Sequence, residues 1–246
     1  DRPWSGETQD LEAVEEVAYD PNCYLCPGNT RAGGETNPEY EGVWAFTNDF
    51  PGLMLGGYDS ESQEGPYRTR TSNGICEVVN FSPNHAQRLS TMDVRSISGV
   101  VSAWADIYER LGAEEKIVYP LIFENRGTIM GNSQPHPHGQ VYAYGEIPNL
   151  IVKPQIEMFQ TYREENDACF VCDAVKMERE DRRRILFRND FFQIFVPFAA
   201  QYPYDVMIVP IAHIGSLLEM DLEMRFALAE ALRKLLTGLD RLFDAP

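Results

Sequence analysis

Two long segments repeat apolar residues at the three- and four-residue spacing of an amphipathic helix. The first covers residues 94–111, follows Ser90-x-x-Asp93, which is typical of a capping box, and stops at Gly112. The second covers residues 222–242, and both apolar stripes are predicted to lie in the core. In the second helix the stripe consists of Leu222, Phe226, Ala229, Leu232, Leu235, Leu236, Leu239 and Leu242.

Shorter apolar runs predict strands around these helices. Residues 76–81 and 205–209 each precede a helix, and residues 117–123 follow the first helix. Residues 141–143 continue with strand-like composition, whereas a strongly polar connector without a strand pattern covers about residues 157–167. The pattern therefore predicts an α+β protein in which strands pack against a long helix in each half.

Four features occur twice in the same order, which indicates an internal repeat. They are the C-x-x-C pairs Cys23/Cys26 and Cys169/Cys172, the Phe-x-Asn-Asp-Phe runs 46–50 and 187–191, a strand followed by His85 or His213, and the helix-opening Asp93 or Asp221. We place the halves at residues 1–156, with the zinc and catalytic site, and 168–246. A counterpart of the segment around His136 would lie beyond Pro246, so either the second copy has degenerated or the chain is part of a longer protein. The apolar face of the last helix favours a partial chain.

The charge balance excludes several kinds of partner. The formal net charge is −17, whereas nucleic acids and anionic membranes are bound by basic patches. No apolar run reaches the about 18 residues of a membrane span, and the N-terminus lacks a signal-peptide pattern. The composition predicts a soluble, cytoplasmic protein that binds neither nucleic acid nor membrane, although a few local groups can still hold a small phosphate.

The cysteine spacing points to metal. Cys23 and Cys26 form one C-x-x-C pair, and Cys169 and Cys172 form another. Two thiolates at this spacing can hold one zinc ion, whereas disulfide frameworks belong mostly to small secreted chains. A redox-active dithiol is the alternative for each pair, but neither pair lies in an obvious strand-to-helix context. We favour a metal at both pairs.

The segment 131–140 places two of the four histidines at alternate positions between proline and glycine. In an extended strand His136 and His138 face the same side, and Pro137 between them fixes φ. Gly139 lets a ligand approach the backbone closely. The pattern is typical of a reaction centre, and two exposed histidines in a proline-rich turn are the alternative.

A zinc site and a nucleophile can share this segment. Cys23, Cys26, His85 and His136 provide the four ligands of a closed tetrahedral zinc site, since both histidines lie at strand ends where distant side chains converge. With His136 held by metal, His138 is aimed and free to act. A neutral imidazole attacks phosphorus at pH 7, because its unperturbed pKa is about 6.5. The attack requires the other ring N–H to be held by an acceptor, most simply a backbone carbonyl of the same turn.

Uncharged groups near His138 can hold a phosphate. The Ser133 hydroxyl and the Gln140 amide flank the histidine, and the N–H groups of Gly131-Asn132 can form an anion-binding nest. Taken alone, Ser133 and Gln140 could each equally cap a local turn.

These motifs resemble the galactose-1-phosphate uridylyltransferases, the transferase branch of the histidine-triad superfamily. The resemblance is carried by Phe123-Glu-Asn-Arg-Gly127, Gly131-x-Ser133-x-Pro-His-Pro-His-Gly-Gln140, Arg2-Pro3-Trp4, Cys23-x-x-Cys26-Pro-Gly28, Asn37-Pro38-x-Tyr40 and Phe46-x-Asn48-Asp49-Phe50. It covers nearly the whole chain. It implies two tandem histidine-triad-like halves, each an antiparallel sheet packed by a long helix, with the second half incomplete.

The resemblance also implies a reaction. His138 would take the uridylyl group from UDP-glucose and pass it to galactose 1-phosphate, in the Leloir route of galactose metabolism. Gln140, in place of a third histidine, marks transferases rather than hydrolases. Zinc would be held by Cys23, Cys26, His85 and His136, and a homodimer is implied. The substrate contacts would be Arg2, Asn48, Asp49, Asn125, Gly131, Ser133 and Gln140.

Two departures leave alternatives open. The family continues beyond the end of this chain with segments that complete the sugar site, so the acceptor, a hexose 1-phosphate, is not fixed. Cys169 and Cys172 are missing from the best-known members, and with His213 they offer three ligands for a possible second metal. The rival functions are a nucleotide-sugar phosphorylase or adenylyltransferase that uses ADP-sugar, and a non-catalytic, zinc-stabilised nucleotide-binding module.

Overall fold

A computed structural model of the chain describes residues 17–56, 60–127, 130–132, 134–150 and 152–242. Within them the chain forms an α+β fold, and none of their helices is long and apolar enough to cross a lipid bilayer. The strands are β1 (Trp44–Thr47), β2 (Glu61–Glu64), β3 (Tyr67–Arg70), β4 (Gly74–Asn80), β5 (Tyr119–Phe123), β6 (His138–Tyr144), β7 (Ile185–Arg188), β8 (Phe192–Phe195) and β9 (Met207–Pro210). The helices are α1 (Val94–Gly112), α2 (Val152–Asn166), α3 (Phe170–Asp181) and α4 (Leu222–Leu242), with a 3₁₀ turn at Leu217–Glu219.

The strands form two antiparallel sheets and one hairpin. The first sheet has the order β1-β4-β6-β5, and the second has the order β7-β8-β9. Strands β2 and β3 pair only with each other among the described residues. Antiparallel sheets with long helices confirm the predicted fold class.

The register of the first sheet decides which side chains share a face. His138 lies opposite Asn80, and Gln140 lies opposite Val78. Directly paired residues point to the same side of a sheet, and residues two apart in a strand do so too. His138 and Gln140 therefore project from one half-buried face, while Gly139 between them and Val141 after them lie toward the other face and are buried.

Helix α1 covers the buried face of this sheet. Ile97, Val100 and Leu111 of the helix share a core with Val79 and Val141 of the strands. None of these side chains is measurably exposed, and burying an aliphatic side chain stabilises the fold by about 1.5–3 kcal/mol. The prediction that the stripe of α1 lies in the core is confirmed.

The start of α1 differs from the predicted capping box. Asp93, rather than Ser90, is the N-cap: its carboxylate accepts the backbone N–H of Ser96 at 3.0 Å. Asp93 lies immediately before the first helical residue, so its short side chain can reach an unsatisfied donor of the first turn. Ser90 is instead buried beside α4, where its carbonyl accepts the hydroxyl of Thr237.

Helix α4 packs against α1 through small residues. Ala229 belongs to the core of the first sheet, and Ala227 and Ala231 belong to a core with Phe192 and Ile194 of the second sheet. The two sheets therefore share the α1–α4 pair as a common support.

The predicted apolar stripe of α4 is wrong at three positions. Leu222, Phe226 and Leu242 are exposed, whereas Ala229 of the same stripe is buried. The spacing predicted that these large residues face the core. In the structure the buried positions of α4 include alanines, which allow two helices to approach closely.

Two local features depart from the expected pattern. The polar connector forms most of α2, although this helix has no buried residue. The hairpin β2–β3 consists wholly of exposed residues, so it offered no hydrophobic alternation to detect.

Candidate active site

The first C-x-x-C pair forms a compact turn that packs against Val78 of β4 and Phe46 of β1. The N–H of Cys26 donates to the carbonyl of Cys23 at 3.1 Å, and the N–H of Leu25 donates to the Cys23 sulfur at 3.4 Å. The amide of Asn37 donates to the carbonyl of Cys26 at 2.8 Å and thereby fixes the turn from behind. Both sulfurs therefore sit in a rigid and almost fully buried position.

The structure brings the four predicted zinc ligands together. Cys23, Cys26, His85 and His136 are all buried, and one ligand atom from each lies within 4.8 Å of the others. The Cys26 sulfur is 3.5 Å from Nδ1 of His85 and 3.6 Å from Nδ1 of His136. Usual zinc–sulfur and zinc–nitrogen bond lengths give a tetrahedral S···N edge of about 3.5 Å. The donor set and its spacing therefore fit a zinc ion, and the ligand roles stay a prediction.

His136 is oriented by contacts on its far side. Its Nε2 lies 2.9 Å from the carbonyl of Ser82 and 3.0 Å from the hydroxyl of Tyr40. A carbonyl can only accept, so Nε2 carries the proton and Nδ1 keeps its lone pair toward the cysteines. The hydroxyl of Tyr40 also donates to the carbonyl of Leu25 at 2.6 Å, which ties His136 to the cysteine turn.

Sequence reasoning did not assign a role to Tyr40. The signal was present in the Asn-Pro-x-Tyr run that ends at this residue. Tyr40 and His136 are 96 residues apart in the sequence, so no local pattern could reveal their contact.

Burial sets the protonation of these groups. It raises the pKa of the Cys23 thiol to about 11 and lowers the pKa of His136 to about 4. Burial also lowers the pKa of His85. The imidazoles are thus held neutral, as metal ligands must be, while a buried thiolate is costly without a nearby cation.

His138 opens strand β6 next to this cluster. Its Nδ1 lies 2.8 Å from the carbonyl of His136, two residues earlier. The expected backbone acceptor within the same turn is therefore present, and it leaves Nε2 of His138 as the nitrogen with the lone pair. Burial also lowers the pKa of His138, which favours the neutral, nucleophilic form.

Gly139 is required where it stands. A Cβ at this position would lie 2.8 Å from the ring of Phe81 and 2.9 Å from the carbonyl of Phe123. Any larger residue at this position would displace β6, and with it His138 and Gln140 on either side.

Asn48 and Asp49 are held by local contacts. The side-chain oxygen of Asn48 accepts the N–H of Phe50 at 2.9 Å. Asp49 accepts the N–H of Gly33 at 3.2 Å and faces Arg31, whose guanidinium lies 3.3 Å away. Both residues follow β1, on the opposite side of β4 from β6. Their contact with substrate stays a prediction.

Two of the remaining predicted substrate contacts, Asn125 and Gly131, lie on the loop between β5 and β6. Asn125 is the second residue after β5, and Gly131, with a φ of 86°, occupies the left-handed region that glycine favours. Arg2 and Ser133 lie outside the described residues. Gln140 lies on the same face as His138.

The second C-x-x-C pair occupies a different setting. Cys169 is the N-cap of α3, so the pair does open a helix, although the preceding element is α2 rather than a strand. The Cys172 sulfur lies 3.2 Å from Nδ1 of His213, and the three residues form a partly exposed group. A hydrogen bond from the backbone of Cys172 holds the pKa of the Cys169 thiol below its usual value.

Family models match both parts of the chain. Residues 1–148 match the N-terminal domain of galactose-1-phosphate uridyl transferase, and residues 155–246 match its C-terminal domain.

Curated proteins named galactose-1-phosphate uridylyltransferase are similar along 99% of this chain. The protein of Schizosaccharomyces pombe is 36% identical, that of Rattus norvegicus 35% and that of Haemophilus influenzae 34%. The chain spans 70%, 64% and 69% of their respective lengths.

Solved structures show the same fold. A uridylyltransferase structure superposes with a TM-score of 0.81 at 27% identity, covering 100% of this chain and 76% of that chain. An ADP-glucose phosphorylase from Arabidopsis thaliana superposes with a TM-score of 0.73, covering 91% of this chain and 68% of that chain. Its identity of 23% supports likeness of fold alone.

Proposed function

Since this chain belongs to the galactose-1-phosphate uridyl transferase family, we propose that it moves a uridylyl group from UDP-glucose to galactose 1-phosphate. His138 is the nucleophile and carries the group between the two half-reactions. The proposal depends on the whole protein, of which this chain spans about two thirds by comparison with its relatives.

One observation carries the proposal: the hydrogen bond between Nδ1 of His138 and the carbonyl of His136 at 2.8 Å. It fixes the tautomer and leaves Nε2 with its lone pair. A histidine without such an acceptor would divide its proton between both nitrogens and rotate more freely. The fixed ring needs no proton removal before it attacks, so His138 acts without a separate general base.

The first half-reaction balances without any acid. Nε2 of His138 attacks the α-phosphorus of UDP-glucose, an N–P bond forms, and the P–O bond to the β-phosphate breaks. The electron pair leaves with that oxygen, and glucose 1-phosphate departs as an anion. In the second half-reaction a phosphate oxygen of galactose 1-phosphate attacks the same phosphorus, the N–P bond breaks and His138 returns neutral.

Uncharged donors around His138 would stabilise the phosphate. Gln140 projects from the same face of β6 as His138, so its amide can donate to a phosphate oxygen. Asn125 and the backbone of Gly131 provide further donors on the adjacent loop. Asn48, Asp49, Arg2 and Ser133 complete the proposed contacts to nucleotide and phosphate.

We further propose that Cys23, Cys26, His85 and His136 hold zinc. When bound, the ion supplies a fixed positive charge that neutralises the thiolates and restrains His136. The protein residues then do the rest: Ser82 and Tyr40 orient His136, and the carbonyl of His136 orients His138.

A second metal site is proposed at Cys169, Cys172 and His213, with a ligand from outside these residues completing the coordination. The short contact of the Cys172 sulfur with Nδ1 of His213 favours a metal over a dithiol alone, because a redox pair needs no imidazole at that distance. Elemental analysis is expected to give two metal ions per chain. One ion per chain, together with a disulfide that forms and opens reversibly between Cys169 and Cys172, would refute this second site.

We also propose that the chain consists of two halves, at residues 1–156 and 168–246. The whole protein is proposed to form a homodimer. Light scattering of the whole protein tests the dimer, for which a monomer at working concentration is the contrary result.

Labelling with UDP-glucose that carries an isotope in its α-phosphate tests the nucleophile. We expect one acid-labile, base-stable label on the peptide that contains His138, removed again by excess glucose 1-phosphate. The His138→Gln variant should bind no label, and a variant that still labels would exclude His138. Labelling from α-labelled ADP-glucose but not from UDP-glucose would replace the proposal by an adenylyl-transferring enzyme, and no label from either would leave a nucleotide-binding module.

A further inference from the structure

The loop that connects β5 to β6 is fastened to a helix from the other end of the chain. Arg126 lies on this loop, one residue after Asn125, and its guanidinium is 2.5 Å from the carboxylate of Asp240 on α4. The Arg126 side chain is 31% exposed and that of Asp240 is 17% exposed. An ion pair withdrawn this far from water is screened less than one on the open surface.

A buried serine joins the same connection. The guanidinium of Arg126 lies 3.4 Å from the hydroxyl of Ser90, and the hydroxyl of Thr237 donates to the carbonyl of Ser90 at 3.0 Å. Thr237 and Asp240 are three residues apart on α4, so they lie on one face of the helix. Ser90, Arg126 and this face of α4 therefore form one contiguous contact.

Helix α4 is a firm support for this contact. Ala229 is buried in the core that α1 shares with the first sheet, and Leu232 and Leu236 pack against that core. Movement of α4 would open a packed interior. Near Arg126 the loop is irregular, and the N–H of Asn132 donates to the carbonyl of Gly127 at 3.2 Å. The ion pair thus places the loop relative to the helix, and not the reverse.

The loop has a second fixed end at the sheet. Phe123, the last residue of β5, lies opposite Gln140 of β6. Asn125 is therefore held between this strand pair and the ion pair of Arg126. A shift at Arg126 would move Asn125 relative to His138, which starts the strand at the end of the same loop.

We propose that Arg126 and Asp240 are a positioning pair through which helix α4 sets the place of the phosphate-binding loop. Neither residue needs to touch the substrate. The inference rests on the proposed uridylyl transfer, since it assigns the pair to the step in which His138 receives the uridylyl group. Small displacements of groups that hold a substrate cost large factors in rate, so a modest ion pair can have a large kinetic effect.

The Asp240→Asn variant tests the pair with almost no change in shape. We expect the kcat/KM for uridylylation of His138 by UDP-glucose to fall about tenfold. Hydrogen exchange of the backbone in residues 124–137 should become faster, while the melting temperature falls by only a few degrees. The exchanged pair Arg126→Asp with Asp240→Arg should recover a large part of the rate and of the protection.

An exposed ion pair elsewhere gives the matched control. Asp181 ends α3 and lies 2.6 Å from Arg183, whose side chain is 77% exposed. Arg183→Gln should change neither the uridylylation rate nor the exchange of residues 124–137.

The outcomes separate the two proposals. If the wild-type protein forms no uridylyl-histidine, the proposed function fails, and faster hydrogen exchange of the loop in Asp240→Asn still supports the positioning contact. If the wild type is active and Asp240→Asn matches it in both rate and loop exchange, the positioning pair is refuted. A rate loss that follows a general fall in melting temperature, and that the exchanged pair does not reverse, refutes it as well.

Discussion

The chain carries two Cys-x-x-Cys groups with histidine, and burial separates them. Cys23, Cys26, His85 and His136 are all buried beneath the sheet that carries His138. In the second group Cys169 is the N-cap of α3, Cys172 lies in the first turn of that helix and His213 follows β9, and the three residues are partly exposed. The same ligand spacing thus occurs once in the interior and once near the surface.

The two groups also differ in the residues that lie beside them. In the first group the carbonyl of His136, a proposed ligand, holds His138, the proposed nucleophile, through a 2.8 Å contact. In the second group His213 lies in a loop after β9, and its ring contacts the Cys172 sulfur at 3.2 Å. Spacing therefore indicates that a metal can bind, whereas the neighbours of each ligand decide what binding does.

Loss of the first group is expected to have the largest effect. Cys26→Ala removes the sulfur that faces both histidines, and structural zinc contributes about 10 kcal/mol or more to folding. We expect the melting temperature to fall by more than about 10 °C and labelling of His138 to be lost. Differential scanning calorimetry and elemental analysis measure the two effects. A metal-free Cys26→Ala protein that melts at the same temperature as the wild type would contradict the stabilising role of the first group.

Tyr40→Phe should lower the metal affinity of the first group without abolishing metal binding. The variant removes the hydroxyl between Nε2 of His136 and the carbonyl of Leu25, and such outer contacts contribute about 10- to 100-fold to metal affinity. Competition with a chelator measures the change. Tyr162→Phe is the control, since its hydroxyl bonds the exposed Asp173 at 2.9 Å and no ligand of the first group. Equal affinities in both variants would contradict the role of Tyr40.

Loss of the second group should leave the chemistry nearly unchanged. Cys172→Ala removes the sulfur next to His213, in a region that shares no ligand with the first group. Because separate sites act almost independently, we expect the labelling rate of His138 to change by less than about twofold. The melting temperature should fall less than in Cys26→Ala. A labelling defect as large as that of Cys26→Ala would show that the groups are not distinct in function.

Loss of a helix cap is expected to have the smallest effect, and to be about equal for α1 and α4. Asp93 caps α1 and Asp221 caps α4, each by accepting a first-turn N–H. Alanine at either position should lower the melting temperature by a few degrees and leave labelling intact.

The cap on α1 also predicts a pH dependence. The Ser96 backbone N–H holds the pKa of Asp93 below its ordinary value. The folded state therefore binds the proton less readily than the unfolded state, so the stabilisation is present above the unfolded pKa of about 3.9 and is lost as the pH falls through the folded value. Asp93→Ala and the wild type should differ in melting temperature at pH 7 and converge in strong acid. A constant difference across this range would contradict the assignment.

Periodicity and short motifs predicted much of this molecule. The stripe of α1 and the α+β class follow from the spacing of apolar residues. The four residues that the structure brings together, Cys23, Cys26, His85 and His136, were identified from spacing and residue chemistry, and their role as ligands stays a prediction. The exposed Leu222 and Phe226 could not be predicted in the same way, because alanines take the interior where α4 approaches α1. The contact of Arg126 with Asp240 joins positions far apart in the chain, so only the folded structure reveals it.

The most direct test of the account is which nitrogen carries the phosphorus. The carbonyl of His136 holds Nδ1 of His138, so Nε2 alone is free to attack. In protein labelled with nitrogen-15 at histidine and incubated with UDP-glucose, nuclear magnetic resonance should show the phosphorus coupled to Nε2 of His138. Coupling to Nδ1, attachment to another residue, or no nitrogen–phosphorus coupling at all would contradict the account.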